Sequence, residues 1–335
     1  MKGVIIKAPR RLEIKEFNIP KIGRTDLLVK IRASSLCGTD LDIYSGKFKW
    51  NYPTRVGHEF SGEVVKTGED VKLFKKGDRV VGENVIGCGK CPICRTGSYN
   101  LCEEVPQLFD AHSEYIISPE RSSFKFSERI SFEEAALAEP LCVAYRACER
   151  AEVKSGTKVC IIGSGGIGLY AVMVCKLKGA IQVIAVDVRP ERLKIAKKFG
   201  ATDIINAERK KVIPQVLNLT NGRGVDSTII AVGVKDVLNN AIKITRKGGT
   251  LVVLGLYHDK ESVIVDYNNI IFRELQVRGN FSSPNVWPKV IKLMEEGRLS
   301  PGSLITHRFP LKEAEKAFET GLDKRKQAIK IVLEA

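Results

Sequence analysis

Residues 156–201 read "GTKVCIIGSGGIGLYAVMVCKLKGAIQVIAVDVRPERLKIAKKFGA" and decide the fold of the central part of the chain. A β-branched run at 158–162 predicts a strand, and an apolar segment that ends near Lys178 predicts a helix. The pattern G-x-G-x-x-G lies between them, and a second apolar strand at 182–186 leads directly into Asp187. Glycines in this context, with an acid nineteen residues after the last of them, predict a dinucleotide-binding βαβ unit.

The residues of this turn have separate predicted roles. Glycine lets the backbone approach a pyrophosphate group, which sits at the positive end of the following helix. Asp187 is expected to accept hydrogen bonds from the adenosine ribose and to repel a 2′-phosphate, which favours NAD over NADP. Arg189 and Arg192 follow, and an arginine here suits a 2′-phosphate, although Arg192 also fits the lining of an adenine pocket. The predicted cofactor-binding residues are Gly163, Gly165, Gly166, Ile167, Gly168, Asp187 and Arg192.

Strand and helix patterns continue to alternate after this unit. Four more strands are predicted in "ATDIIN", "VDSTIIAVG", "GGTLVVLGL" and "ELQVRGNF", with helices between them such as one around 236–246. Six parallel strands joined by helices predict an α/β fold with a doubly wound Rossmann sheet over residues 146–278.

The two ends of the chain flank this unit and are predicted to form one other domain. Residues 1–145 are rich in short strands, glycine and proline, which is typical of a small β-barrel-like body. Residues 279–335 carry helix patterns at 286–296 and 311–320 and a final strand in "AIKIVL", and we expect them to return to the first domain. A substrate site is then expected in the cleft between the two domains.

The composition limits the classes of protein. A chain of 335 residues is longer than a single hydrophobic core usually supports, which agrees with two domains. The net charge is +15, but the 54 lysines and arginines are interleaved with acids, which favours an anionic small molecule over nucleic acid as partner. The N-terminus has no signal-peptide core, and no apolar run reaches the ~18 residues that span a bilayer. We therefore expect a cytoplasmic protein without a nucleic-acid or membrane partner.

Four of the nine cysteines lie in "GCGKCPICRTGSYNLC" at residues 87–102. Short C-x2-C spacings place thiolates on neighbouring turns of a loop, where they converge on one tetrahedral ion. Disulfides do not suit a reducing cytosol, and the spacing is not one of the ferredoxin patterns. The run predicts a closed structural zinc site, which leaves no coordination position for a substrate. Its ligands are Cys88, Cys91, Cys94 and Cys102.

A second, mixed set of metal-ligating residues is spread over the first half of the chain. Cys37 in "SLCGTD" and His58 in "VGHEF" stand twenty-one residues apart, and Glu139 precedes a proline in an apolar stretch. A carboxylate in such surroundings is costly unless it is paired or metal-bound. A Cys/His/Glu set that leaves one position to water is what an open, catalytic zinc site requires. Cys142 is an alternative third ligand, although its place in a helix pattern favours a buried structural role.

The order of these motifs resembles the zinc-dependent medium-chain dehydrogenase/reductase family over essentially the whole chain. The motifs are C-G-T-D, G-H-E-F-S-G, the four-cysteine run, E-P-L, and G-S-G-G-I-G-L before an acid. The resemblance implies a GroES-like catalytic domain beside the Rossmann domain and two zinc ions per subunit. It implies catalytic zinc on Cys37, His58 and Glu139, with Glu59 behind them or as an intermittent ligand. It also implies structural zinc on the four-cysteine run and a homo-oligomer, a dimer or tetramer.

Within the family, "AEPLCVA" and "THRFPLKEAEKAFET" are most similar to the sorbitol (polyol) dehydrogenases, with the threonine dehydrogenases close behind. This resemblance implies NAD-linked oxidation of a secondary alcohol to a ketone by hydride transfer, with Thr39 as the first proton acceptor. The alternatives are L-threonine, a simple alcohol or a phosphorylated sugar alcohol as substrate, a zinc-free quinone or enone reductase, and a zinc-ribbon nucleic-acid binder. Two features depart from the polyol enzymes: Ser282 and Ser283 replace an Arg–Tyr pair, and Asp42 replaces a common histidine.

Overall fold

The computed structural model describes residues 1–104, 110–258 and 262–335. Its strands are β1 (Lys2–Ala8), β2 (Arg11–Glu16), β3 (Asp26–Ser35), β4 (Thr54–Arg55), β5 (Glu59–Thr67), β6 (Arg79–Gly82), β7 (Tyr115–Pro119), β8 (Ser123–Lys125), β9 (Lys158–Ile162), β10 (Gln182–Asp187), β11 (Asp203–Asn206), β12 (Val225–Ile230), β13 (Thr245–Val253), β14 (Gln276–Gly279), β15 (Ile305–Pro310) and β16 (Lys330–Glu334). Its α-helices are α1 (Gly38–Ser45), α2 (Pro92–Arg95), α3 (Phe132–Ala136), α4 (Ala138–Arg150), α5 (Gly166–Leu177), α6 (Pro190–Phe199), α7 (Val212–Leu219), α8 (Val237–Ile244), α9 (Tyr267–Phe272), α10 (Trp287–Glu295) and α11 (Ala314–Leu322). Short 3-10 turns lie at Tyr99–Leu101, Glu120–Ser122, Pro301–Leu304, Leu311–Glu313 and Lys324–Lys326.

The chain divides into two compact units. The first unit comprises Met1–Glu139 and Ser283–Ala335, and the second comprises Pro140–Ser282. The first unit is therefore built from two separate stretches of chain, with the second unit inserted between them. The domain limits expected from the sequence, 145/146 and 278/279, stay a prediction.

The second unit is a six-stranded parallel sheet with strand order β11-β10-β9-β12-β13-β14. Its central strand, β9, is an apolar run whose side chains from Val159 to Ile162 are buried, as expected for a strand covered on both faces. Each such aliphatic side chain contributes about 1.5–3 kcal/mol to the free energy of unfolding when it is fully buried. The doubly wound sheet predicted from the sequence is confirmed.

The first unit contains two mainly antiparallel sheets. One has the order β2-β1-β4, and the other has the order β15-β16-β3-β5-β6-β8, with β7 also paired to β3. In the larger sheet β3 and β5 run antiparallel with Ser35 opposite Glu59. On its other side β3 pairs with β16, which places Val332 opposite Ser35. The end of β3, the start of β5 and the start of β16 therefore lie side by side.

The structure was also searched for segments that could cross a membrane. Among the residues that it describes, no helix has the length and apolar character that a bilayer-spanning segment needs.

Candidate active site and metal centres

The cysteine lobe, residues 87–102, brings four thiols to one point. The Sγ atoms of Cys88 and Cys94 are 3.9 Å apart, as are those of Cys91 and Cys102, and all four sulfurs lie within 4.8 Å of one another. Four thiolates at about 2.3 Å from one zinc ion stand about 3.8 Å from each other, so the spacing fits a tetrahedral zinc site.

The backbone of the cysteine lobe points toward these sulfurs. Cys91 N donates to Cys88 Sγ at 3.3 Å, Cys94 N donates to Cys91 Sγ at 3.4 Å, and Cys88 N donates to Cys102 Sγ at 3.4 Å. Cys91 is the N-cap of the short helix α2, which begins with Pro92. Hydrogen bonds from the backbone of Cys91 and Lys90 lower the pKa of Cys88 to about 6. The lobe thus favours the thiolate at Cys88, whereas burial raises the pKa of Cys94 to about 12, so a metal ion that binds here must displace the proton of Cys94.

A second group of donor atoms, here called the ligand cluster, consists of Cys37, His58 and Glu59. Their donor atoms all lie within 4.8 Å of one another, and His58 and Glu59 are 6% and 1% exposed. Cys37 follows β3 and is the N-cap of α1, whereas Glu59 opens β5 opposite Ser35. The strand register therefore brings together residues that are far apart in the sequence. A thiol, an imidazole and a carboxylate are three of the donors that zinc takes, and three protein ligands leave one position open.

Glu139 stands beside this group rather than in it. It lies in the first turn of α4, is 7% exposed, and interacts electrostatically with His58 and Glu59. Burial raises the pKa of Glu139 to about 7, with the charges of Glu59 and Glu83 acting in the same direction and those of His58 and Lys330 against it. The acid that the structure places within ligand distance of Cys37 and His58 is Glu59. The ligand role expected for Glu139 stays a prediction.

Asp40, which sequence analysis did not assign, supports the ligand cluster. It is fully buried, and its carboxylate accepts from Cys37 N at 2.8 Å and from Gly57 N at 3.2 Å. One oxygen lies 3.8 Å from His58 Nδ1, and the other lies 3.4 Å from His112 Nε2. Burial raises the pKa of Asp40, but the hydrogen bond and charge of His112, the charge of His58 and the Cys37 backbone lower it to about 2. Asp40 is therefore an anion that holds the backbone beside Cys37 and His58 and places a negative charge near the imidazole of His58.

The pKa of His58 is strongly shifted by its surroundings. Burial lowers its pKa, but the neighbouring Cys37, Asp40 and Glu139 raise it well above its usual value. Without a metal, a proton on His58 balances the surrounding negative charge. A metal ion that binds here must displace that proton.

Two further side chains near the ligand cluster escaped sequence analysis. His112 is 1% exposed, and its Nδ1 lies 2.9 Å from Ser34 Oγ. Lys330 is 5% exposed, and its Nζ lies 2.5 Å from Glu59 Oε2. Its one available signal was a charged residue inside the apolar strand "AIKIVL", where a lysine without a partner is costly.

The predicted proton acceptor Thr39 and the alternative ligand Cys142 have different surroundings. Thr39 is half-buried in the first turn of α1, two residues after Cys37. Cys142 is fully buried within α4 and is not one of the cysteines in either metal-compatible group among the described residues.

The glycine turn of the second unit has the geometry that the motif requires. Gly163 has a φ of +97°, and a Cβ on Gly168 would overlap the carbonyl oxygen of Gly163. Gly165 is the N-cap of α5, whose first turn contains Gly166 and Ile167. Since this N-cap has no side chain, the positive end of the helix is open to an anionic group.

Asp187 ends β10 beside this turn. Its carboxylate accepts from Ser164 N at 2.7 Å and from Arg189 N at 2.8 Å. Burial and the charge of Arg189 lower the pKa of Arg192, while the charge of Asp187 raises it. A Cβ on Gly165 would lie 3.2 Å from Arg192 Nη1, so this guanidinium stands close to the glycine turn. The residues fit a dinucleotide, and their individual roles stay predictions.

Comparisons with known proteins bear on both units. Residues 23–128 match the family model of the alcohol dehydrogenase GroES-like domain, and residues 166–296 match that of the zinc-binding dehydrogenases. The chain is 33% identical to the sorbitol dehydrogenase of Bacillus subtilis over 342 residues, which cover 99% of this chain and 97% of that protein. It is 37% identical to the L-threonine 3-dehydrogenase of Bacillus licheniformis over 326 residues, which cover 94% and 93%.

A solved structure gives the same result. The galactitol-1-phosphate dehydrogenase of Escherichia coli aligns over 100% of both chains, with a TM-score of 0.91 and 28% identity. Fold, donor groups and sequence thus define an oxidoreductase of the zinc-type alcohol and polyol dehydrogenase class. The chain belongs to the zinc-dependent medium-chain dehydrogenase family, as its motifs predicted.

Proposed function

We propose that the protein is an NAD-linked dehydrogenase that oxidises a secondary alcohol of a polyol or sugar alcohol to a ketone. The observation that carries the proposal is the ligand cluster, where the donor atoms of Cys37, His58 and Glu59 lie within 4.8 Å of one another and two of the three residues are buried. The similarity to a sorbitol dehydrogenase over 99% of the chain supports the choice of substrate class.

The residues of the first unit have complementary roles in this proposal. Cys37, His58 and Glu59 would hold a zinc ion, and Asp40 would hold the backbone beside Cys37 and His58 through its hydrogen bonds from Cys37 N and Gly57 N. When bound, zinc supplies a Lewis acid that lowers the pKa of a substrate hydroxyl. Thr39, two residues after Cys37 in the first turn of α1, would accept the hydroxyl proton.

The second unit would bind the dinucleotide. The glycine turn receives the pyrophosphate at the N-terminus of α5, and Asp187 receives the adenosine ribose. The carboxylate of Asp187 is held by two backbone N–H groups, so it is a fixed negative charge that disfavours a 2′-phosphate. The overall reaction converts an alcohol and NAD+ to a ketone, NADH and a proton.

A phosphorylated sugar alcohol is the second candidate substrate. The net charge of +15 favours an anionic substrate, and the similarity to a galactitol-1-phosphate dehydrogenase over the full chain supports this alternative. L-Threonine is the third, supported by the similarity to an L-threonine 3-dehydrogenase.

NADH formation at 340 nm tests the proposal with NAD+ and a panel of sorbitol, xylitol, galactitol, galactitol 1-phosphate, L-threonine, 2,3-butanediol and ethanol. We expect the highest kcat/KM with an unphosphorylated polyol and a higher kcat/KM with NAD+ than with NADP+. The Cys37→Ser variant, whose fold is checked by circular dichroism, is the negative control. A clear preference for threonine or for the phosphate ester would replace the polyol assignment.

We also propose that the protein is a homo-oligomer. The exposed fractions of Ile264, Tyr267 and Phe272 are 83%, 69% and 78%, which is unusual for apolar side chains at a free surface. Within the described chain, the edge strand β14 pairs only with β13. Light scattering after size exclusion should give two or four chains per particle, and Phe272→Asp should lower that number if this surface forms the contact.

A further inference from the structure

Arg146, on α4, binds the turn that follows the last strand of the second unit. This turn, here called the β14 turn, comprises residues 280–282 and begins directly after β14. Arg146 Nη1 donates to the carbonyl oxygen of Phe281 at 2.9 Å. The same nitrogen donates to Asn280 Oδ1 at 3.3 Å and to the carbonyl oxygen of Ser282 at 3.5 Å. One side chain therefore faces an acceptor from each residue of the β14 turn.

Asn280 gives the β14 turn two further attachments. Its backbone N–H donates to the carbonyl oxygen of Val253, the last residue of β13, at 2.9 Å, and its Nδ2 donates to the carbonyl oxygen of Val143 at 3.4 Å. Ser282 is 8% exposed and has a φ of +59°, a conformation that a residue with a Cβ rarely adopts unless its surroundings enforce it. The β14 turn is thus held by its neighbours in a conformation that its own sequence does not favour.

The position of the β14 turn in the sheet indicates which part of a ligand it faces. The six strands are parallel, so their carboxyl ends lie at one edge, which is where open α/β sheets bind ligands. The glycine turn follows β9 at this edge, and Asp187, expected to bind the adenosine ribose, ends β10 on one side of it. The other half of a dinucleotide is then expected on the opposite side of β9, across the ends of β12, β13 and β14.

We propose that Arg146 is a positioning residue that holds the β14 turn in the conformation that binds the nicotinamide half of the dinucleotide. Because Nη1 binds the carbonyl oxygens of Phe281 and Ser282, it fixes the two peptide planes that flank Ser282. The side chain of Phe281 is 50% exposed, so it is available to a ligand at this edge. This inference rests on the proposed NAD-linked function, and it gives a role to a residue of α4 for which sequence analysis predicted none.

Two other roles for Arg146 predict different results, and a pair of ligands separates them. ADP-ribose carries the adenosine and pyrophosphate groups of NADH but lacks the nicotinamide ring. A positioning role predicts that loss of Arg146 weakens the binding of NADH alone. Attraction of the anionic pyrophosphate predicts that both ligands bind more weakly, whereas a role in stability alone predicts a lower Tm with both affinities unchanged.

The experiment uses the full-length protein, with NADH binding followed by its fluorescence and ADP-ribose binding by calorimetry. Arg146→Met should raise the Kd of NADH by about tenfold, since the hydrogen bonds of a charged donor are lost, and should leave the Kd of ADP-ribose within about twofold. Arg146→Lys keeps the charge and one donor group, so its Kd for NADH should stay within about threefold. Arg223→Met is the matched control, because Arg223 is exposed and lies just before β12, at the opposite edge of the sheet.

A double variant keeps the test decisive if Arg146→Met folds poorly. Adding Ser282→Gly removes the backbone strain at this position, because glycine adopts a positive φ without cost. The double variant should still lose affinity for NADH and not for ADP-ribose, since nothing then fixes the β14 turn. Equal changes in the two Kd values, or no change in either, would overturn the positioning role. If the unsubstituted protein binds neither NADH nor ADP-ribose, the proposed function itself fails, and that result is distinct from the others.

Discussion

The cysteine lobe and the ligand cluster both bring metal-ligating atoms together, but they draw these atoms from different parts of the chain. The lobe gathers four thiols from fifteen consecutive residues and directs its own backbone N–H groups at three of the sulfurs. The ligand cluster takes its donors from two different strand ends and relies on side chains from elsewhere to hold them. A local site is complete once its loop is formed, whereas a distributed site is only as accurate as the fold around it.

The largest loss of activity is expected when Cys37, the cysteine of the ligand cluster, is replaced. Cys37→Ser should lower kcat/KM by more than about 10^3-fold, since the loss of a bound Lewis acid exceeds the 10^2–10^3-fold loss of a single hydrogen-bond donor. Metal analysis of the purified variant should show that one of two zinc ions per chain is lost.

Cys142→Ser is the matched control, because Cys142 is buried but belongs to neither metal-compatible group. Its zinc content should remain at two per chain. Full activity in Cys37→Ser would contradict the assignment of the ligand cluster as the reaction centre.

The metal affinity of the ligand cluster should fall as the pH falls. The raised pKa of His58 means that a proton competes with the metal at neutral pH. Below that pKa each pH unit costs about tenfold in apparent affinity, so the affinity should fall as the pH is lowered through the raised pKa of His58. Competition with a chromogenic chelator at several pH values measures this affinity.

The Glu139→Gln variant tests whether this pH dependence comes from His58. Removal of this negative charge should lower the pKa of His58 and move the decline to lower pH, because Glu139 is one of the groups that raise it. An affinity that stays constant from pH 8 to pH 6 would show that His58 is not a ligand.

Asp40→Asn should weaken metal binding at the ligand cluster by about 10–100-fold, since the backbone beside Cys37 and His58 loses the carboxylate that holds it and His58 loses a nearby negative charge. The zinc release rate in the presence of a chelator provides the measurement. Asp42→Asn, two residues further along α1, is the control and should release zinc at the unsubstituted rate. Equal release rates in the two variants would contradict a supporting role for Asp40.

The smallest effect on turnover is expected in the cysteine lobe. Cys91→Ser should remove the other zinc ion and lower the Tm by roughly 10 °C, while kcat at 25 °C stays within about threefold. Calorimetry and metal analysis check both values, with Lys90→Ala as a control inside the same loop. A loss of activity as large as that of Cys37→Ser would mean that the lobe takes part in the reaction.

The sequence revealed features whose physical cause is local. The glycine turn was predictable because positive φ and close backbone contacts restrict Gly163 and Gly168 to glycine. The four-cysteine site was predictable because all its ligands lie in one loop. The position of Glu59 beside Cys37 was harder to foresee, because it depends on the register of β3 against β5.

The supporting residues were beyond prediction for the same reason. His112 reaches Asp40 only through the packing of a loop against β3, and Lys330 reaches Glu59 across a sequence separation of 271 residues. No local pattern marks such pairs, since their partners are set by the pairing of distant strands. What sequence can offer is a warning: a charged residue inside an apolar strand needs a partner.

The interrupted chain of the first unit also has a consequence for biosynthesis. The ribosome makes Cys37, His58 and Glu59 long before Lys330, and the whole second unit is translated in between. At about 5–20 residues per second, the 228 residues from Cys102 to Lys330 take roughly 11–46 s. During that time the chain already contains the four cysteines of the lobe, whereas Lys330, which pairs with Glu59 of the ligand cluster, has not been made. The nascent chain can therefore acquire its first zinc ion well before the strand that completes the reaction centre has left the ribosome.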